Sequence, residues 1–183
     1  DIDYMDYFEI NLVGDTGVIA SQKTGKDTSF TAGVEEAGTY YVLVNSSSNY
    51  SYNDEEYSLT ATSTAGDTSS IETEDNNLYH QADTLTSGNP IKGQLANLND
   101  IDVYSLVTTG PGTIDIAFDS PTDIDYMDFF EIILSEETTG GTNKIVSQKT
   151  GKDTSFTVGV EEAGTYYVFI NSSSNYSYND EEY

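Results

Sequence analysis

The sequence predicts an all-β protein built from antiparallel, jelly-roll-like β-sandwich domains in tandem. Three observations carry this. Apolar residues alternate with period two in short runs, turn residues separate the runs, and residues 1–57 recur almost verbatim at 123–183.

The repeat sets the organisation. Asp1-Ile2-Asp3-Tyr4-Met5-Asp6 matches Asp123-Ile124-Asp125-Tyr126-Met127-Asp128, and Ser21 to Tyr57 matches Ser147 to Tyr183, so the offset grows from 122 to 126. The extra residues fall around Glu136 to Asn143, which read as a turn. From Ser21 onward only Ala32/Val158, Leu43/Phe169 and Val44/Ile170 differ, each apolar for apolar, as expected at core-facing sites. A period of this length is a whole domain and not a solenoid unit. The expected layout is the C-terminal half of one sandwich over 1–66, an acidic linker over 67–77, and a second sandwich over 78–183 that lacks its last strand. The start, Asp-Ile-Asp-Tyr, has neither methionine nor a basic region, and the chain reads as a window on a longer repeat.

Within one period the expected strands are Ile101 to Val107, Ile114 to Phe118, Phe129 to Leu134, Lys144 to Gln148, Ser155 to Val160 and Thr165 to Ile170. The first copy adds a closing strand at Tyr57 to Thr62. Turns fall at Thr109-Gly110-Pro111-Gly112, Ser120-Pro121, Gly140-Gly141 and Glu161-Glu162-Ala163-Gly164. Tyr40, Val42 and Val44 should face one side of their strand, with Tyr41 and Leu43 on the other. Tyr166, Val168 and Ile170 should likewise oppose Tyr167 and Phe169. Both sets are apolar or aromatic, which predicts a central strand covered on both faces.

Composition narrows the function classes. The chain has 183 residues, 32 of them acidic against six lysines, for a net charge of -26. Such a charge repels nucleic acid and anionic surfaces, and it strains the compact state in a way that bound cations relieve. Without cysteine there are neither disulfides nor thiolate metal sites. No segment has the apolar length of a membrane span. High charge alone would suit disorder, but 15 Tyr and 7 Phe in alternating apolar runs supply a core.

The acidic linker carries the main candidate site. Calcium takes six to eight oxygen ligands, mostly carboxylates, amide oxygens and backbone carbonyls. Glu72, Glu74, Asn76 and Asn77 offer such oxygens on one segment, and Asp100 and Asp102 lie at the mouth of a strand. In an extended backbone Glu72, Glu74 and Asn76 point to the same side. From these residues alone, a solvated acidic linker explains the pattern as well as calcium does. A second group, Asp123, Asp125 and Asp128 (Asp1, Asp3 and Asp6 in the first copy), reads better as a solvated loop. The loops 45–57 and 171–183 alternate Tyr, Asn and Ser. Their Tyr50, Tyr52, Tyr176 and Tyr178 are candidates for stacking on sugar rings, against packing on neighbouring strands. The same loops hold four sequons, at Asn45, Asn49, Asn171 and Asn175. Catalysis has little support: His80 is the only histidine, and nothing marks a nucleophile or a phosphate cradle.

Five segments in order resemble a known family. They are Glu72-Thr73-Glu74-Asp75-Asn76-Asn77, Ala82-Asp83-Thr84-Leu85, Ile91-Lys92-Gly93-Gln94-Leu95, Asn99-Asp100-Ile101-Asp102-Val103-Tyr104 and Ala163-Gly164-Thr165-Tyr166-Tyr167-Val168. Glu56-Tyr57-Ser58-Leu59-Thr60 resembles the same family's last strand. Together they resemble the bacterial pre-peptidase C-terminal (PPC) domain, a family that includes the collagen-binding domains of clostridial collagenases. The resemblance implies a compact β-sandwich with calcium near the N-terminal linker, in secreted or surface proteins. It favours calcium over the solvated linker. Collagen binding is not carried over, because no protease domain is visible and the Tyr-rich loop departs from the family's pattern. The expected function is a structural repeat of an extracellular fibre, stalk or adhesin, secreted or at the cell surface, with neighbouring copies of the repeat as partners. The rival reading is an accessory module of a secreted hydrolase that binds polysaccharide or matrix protein.

Overall fold

A computed structural model of the chain describes residues 7–34, 36–47, 56–66, 68–123, 128–173 and 183. Among these the protein is all-β, with ten strands and no helix. The strands are β1 (Phe8–Val13), β2 (Val18–Thr24), β3 (Tyr41–Ser46), β4 (Asp83–Thr84), β5 (Ile101–Thr108), β6 (Gly112–Phe118), β7 (Phe130–Thr138), β8 (Gly141–Thr150), β9 (Thr154–Val160) and β10 (Gly164–Ser172). They form a three-stranded sheet, β2-β1-β3, a five-stranded sheet, β4-β5-β10-β7-β8, and a two-stranded sheet, β6-β9. Every pairing is antiparallel except that of the short β4 with β5.

The repeated segments fold alike down to single hydrogen bonds. Strand order β2-β1-β3 repeats as β8-β7-β10. Register repeats too: Ile10 faces Val44 as Ile132 faces Ile170, and a bulge follows Leu12 as one follows Leu134. Tyr40 donates its hydroxyl to the Glu36 carbonyl at 2.7 Å, and Tyr166 does the same to Glu162 at 3.0 Å. Phe8 meets Tyr57 edge-on at 5.8 Å, as Phe130 meets Tyr183 at 5.7 Å. The extra residues of the second copy do more than make a turn. Glu136 to Thr138 pair with Gly141 to Asn143, so they lengthen the β7–β8 hairpin by whole cross-strand pairs.

The main core draws on both the five-stranded and the two-stranded sheet. Tyr104, Phe130, Ile132, Leu134, Tyr166, Val168 and Ile170 pack with Ile114, Phe118 and Val160. β10 is central, between β5 and β7. Its Tyr166, Val168 and Ile170 enter the core, while Tyr167 on the opposite face is covered by Tyr79 at 5.8 Å. This agrees with the two-faced apolar pattern of the sequence.

Its counterpart β3 departs from that expectation. Among the described residues β3 pairs with β1 only, and Tyr41 and Leu43 are 58% and 47% exposed. β3 is the edge strand of its sheet, whereas β10 has β5 on its other side. The closing strand expected at Tyr57 to Thr62 is also overturned. Residues 56–66 are exposed and form no strand. In the second copy Tyr183, the counterpart of Tyr57, exchanges two backbone hydrogen bonds with Gly93, at 2.8 and 3.1 Å. Residues 28–30, which match the start of β9, carry no strand, whereas β9 pairs along its length with β6.

Candidate metal centre

The linker does not behave as a solvated segment. The amide of Glu72 donates to the Lys92 carbonyl at 2.8 Å, and the amide of Lys92 donates to the Ser70 carbonyl at 3.0 Å. Single bridges join Ile71 to Lys92 and Gly33 to Thr73. These contacts hold Ile71 to Thr73 against the body of the protein, so Glu72 and Asn76 are 6% and 0% exposed.

β5 brings the second set of acids to the same place. Alternation along the strand puts Asp102 on the core face beside Tyr104, and both are buried. Just before the strand, Asp100 accepts from the Ala96 amide at 2.6 Å and from its neighbour Ile101 at 3.1 Å, which folds the 96–100 loop back on itself.

Glu72, Glu74 and Asp102 thereby converge, each offering a carboxylate oxygen within 4.8 Å of the others. Around them the donors run short. Glu72 accepts from the Gln94 amide and, at 2.9 Å, from the Tyr104 hydroxyl, while Tyr183 donates its hydroxyl to Asp102. Three buried oxygens receive no hydrogen bond: Glu74 Oε1, Asn76 Oδ1 and Asp102 Oδ1. All three can accept, and either a cation or a bound water supplies the partner they lack.

Electrostatics point the same way. Burial, aided by the negative neighbours Asp100 and Glu72, pushes the Glu74 carboxyl up to about 9. Burial outweighs three hydrogen bonds at Glu72 and pushes it up to about 7. Asp102 is held well above the usual carboxylate range by burial and then by Glu72 and Asp100, and Asp100 is raised by burial. Burial also lifts the hydroxyls of Tyr104 and Tyr183 well above 10, so both stay protonated as donors. Three close carboxylates in a poor dielectric carry protons unless a metal replaces them.

The sequence-derived candidates separate accordingly. Glu72, Glu74 and Asp102 meet. Asp100 lies close enough to raise the Glu74 and Asp102 carboxyls, with both its own oxygens tied to backbone amides. Asn76 is fully buried and donates to Asp83 at 3.3 Å, which leaves its oxygen without a donor. Asn77 has a different job: its oxygen accepts from the Ile101 amide at 2.8 Å and pins the start of β5. Gln94, Tyr104 and Tyr183 were not anticipated. Tyr104 was legible in principle, two residues beyond Asp102 on one strand face; Gln94 carried no such signal.

Of the other candidates, Asp123 and Asp128 are exposed, as is Asn45 on β3. Asn171 sits half-buried on β10 with its side-chain oxygen among the buried acceptors lacking a donor. Asp1, Asp3, Asp6 and Asp125, the sequons at Asn49 and Asn175, and Tyr50, Tyr52, Tyr176 and Tyr178 lie outside the described residues. Comparison with family models and with curated proteins gives no match. Function is therefore argued from the site itself.

The donor set fits a hard cation. It is all oxygen and mostly anionic, with no nitrogen or sulfur among the converging atoms, as calcium prefers. Room for the carboxylates depends on Gly93. A Cβ there would come 2.4 Å from the Tyr104 hydroxyl and 2.6 Å from Glu72 Oε2. Any larger side chain there displaces the Tyr104 hydroxyl and the Glu72 carboxylate from this arrangement.

Proposed function

We propose that the chain is a structural module of a repetitive extracellular protein, a fibre, stalk or large adhesin. In this reading calcium, held by Glu72, Glu74 and Asp102 with Asn76 and Asp100 alongside, locks the segment between successive β-sandwich domains. The observation that carries it is the convergence of the buried Glu72, Glu74 and Asp102 carboxylates, two of which hold an oxygen without a donor. A bound calcium offsets most of the cluster's charge and ties linker to sandwich, because Glu72 and Glu74 come from the linker and Asp102 from β5.

The sandwich part of the reading rests on a core shared by the β4-β5-β10-β7-β8 and β6-β9 sheets. The tandem part rests on the duplicated strand order, register and aromatic pairs. The resemblance to PPC domains is consistent with this arrangement, since its first and fourth segments hold Glu72, Glu74 and Asp102. The cluster is a poor candidate for catalysis on a polymer. Glu72 and Asp102 are 6% and 0% exposed, and a glycan or peptide cannot reach them.

Calorimetric titration of the chelator-treated chain with calcium tests the proposal. It should show one saturable site, lost in Asp102→Asn and weakened in Glu74→Gln. Titration without heat, together with a melting midpoint indifferent to calcium, would remove the reading.

A further inference from the structure

The two copies of the repeated half carry the same surface in two different situations. In the first copy Ile19, Ala20 and Gly33 form one wall of a narrow cleft, with Ile71, Glu72 and Gly93 on the other. Gly33 fits so closely that a Cβ would lie 2.2 Å from the Glu72 carbonyl oxygen. Ile19 is only 5% exposed there. Two of the three second-copy counterparts lie open, while Val146, the counterpart of Ala20, packs against the core: Ile145 is 38% exposed, Gly159 is exposed, and a Cβ on Gly159 would meet nothing within 4 Å.

Gly159 makes no sense within its own domain. It lies inside β9, it is not among the glycines with positive φ, and it has free space beside it. A glycine inside a strand weakens it, and one common compensation is the close approach of another backbone. The first copy shows which backbone that is: Gly33 bridges to Thr73 beside Glu72.

We propose that exposed Ile145 on β8 and Thr157 and Gly159 on β9, whose counterparts Ile19, Thr31 and Gly33 line one occupied cleft, are a docking surface for a second linker of the same sequence, seated through its Ile71-Glu72-Thr73 segment. The short turn 151–153 joins β8 to β9 and keeps the two parts of the face together, as residues 25–27 do near the occupied face. The partner is another copy of this repeat, joined head to tail. Val158 replaces Ala32 but packs toward the core, so the larger side chain does not obstruct the face. The inference uses the repeat reading above and is independent of whether calcium binds.

Undocking the first copy within the full chain exposes the donor segment. Gly33→Val forces this through the clash with Glu72, and Ile19→Asp does so by placing a charge in the contact. Sedimentation velocity should show the wild-type chain near 20.0 kDa and either variant forming species at multiples of that mass. The association should appear by about 1 mM, the effective concentration a short linker gives such a contact. Adding Gly159→Val to either variant should restore the monomer, while Gly159→Val alone should sediment as wild type. Hydrogen exchange at residues 32–34, around the Gly33 bridge to Thr73, reports release of the segment. Released variants that stay monomeric, or association that survives Gly159→Val, would overturn the proposal. Calcium titration of the same samples reads the metal site separately, so the two failures are distinguishable.

Discussion

Removing calcium should make stability fall as pH rises, and adding it should cancel that fall. In the calcium-free fold the Glu72 carboxyl sits at about 7 and Glu74 at about 9, both above 4.5, the value expected in the unfolded chain. Between those values the folded state holds protons that the unfolded state has lost. Stability from these groups is complete below pH 4.5 and is lost as pH climbs through 7 toward 9. Glu72 alone, at about 1.4 kcal/mol for each tenfold change, accounts for roughly 3 kcal/mol between pH 5 and pH 8. In a chain of this size that corresponds to a drop of roughly 10 °C in melting midpoint. Calcium at about a hundredfold above its dissociation constant returns about 2.7 kcal/mol at pH 8. The assay is a thermal melt at pH 5.5 and pH 8, with chelator and with calcium, joined to calorimetry at pH 6.5 in two buffers of different ionisation enthalpy. Binding at pH 6.5 should release roughly one to two protons, displaced from the carboxylates by the metal. A chelated protein that is more stable at pH 8 than at pH 5.5, or binding without proton release, would refute the reasoning.

Gly93→Ala places a methyl group 2.4 Å from the Tyr104 hydroxyl and 2.7 Å from that of Tyr183. It should cost about 2–3 kcal/mol in denaturant unfolding and abolish the calcium response. Tyr183→Phe removes the hydroxyl that serves Asp102. It should destabilise the calcium-free chain by about 1–3 kcal/mol in the same assay, with a smaller loss when calcium is bound. Glu74→Gln removes a carboxyl that must take up a proton on folding at pH 8, so it should raise the chelated melting midpoint there while weakening calcium binding. Ile132→Ala and Ile10→Ala change equivalent positions. The first, at 0% exposure, should cost about 2–5 kcal/mol, and the half-buried second distinctly less. Chemical denaturation of the two variants decides it.

Much of the fold was legible because each period-two run faces a core on one side. Ile101 to Val107 and Ser155 to Val160 became β5 and β9 almost as expected, and β10 proved central because both its faces are apolar. What failed was context. Tyr57 to Thr62 and Tyr183 begin with the same residue in the same surroundings of sequence, yet only Tyr183 has Gly93 to pair with. Pattern specifies what a strand can bury and says nothing about whether its neighbour is present. The candidate site was half legible for a related reason. Alternation gave Asp102, and an acidic linker gave Glu72 and Glu74. The donors that complete the cluster, Tyr183 and the Gln94 amide, lie far away in sequence and meet it only through the fold. The linker's burial was hidden too, since its polar composition suits solvent as readily as a cation.

The duplicated strand order has a kinetic consequence. Residues 78–122 supply β4, β5 and β6, and two almost identical partners compete for them, one on each side along the chain. Closing either loop costs a similar entropy, because that cost grows only slowly with loop length. The choice between two circularly related arrangements then rests on a handful of substitutions. At Ala32/Val158, Val44/Ile170 and Ala20/Val146 the later copy carries the larger aliphatic side chain, each worth about 0.8 kcal/mol per buried methylene. Its longer hairpin adds further cross-strand pairs. A refolding chain therefore partitions between a left-hand and a right-hand partner, and the few added carbons of the second copy tip it to the right.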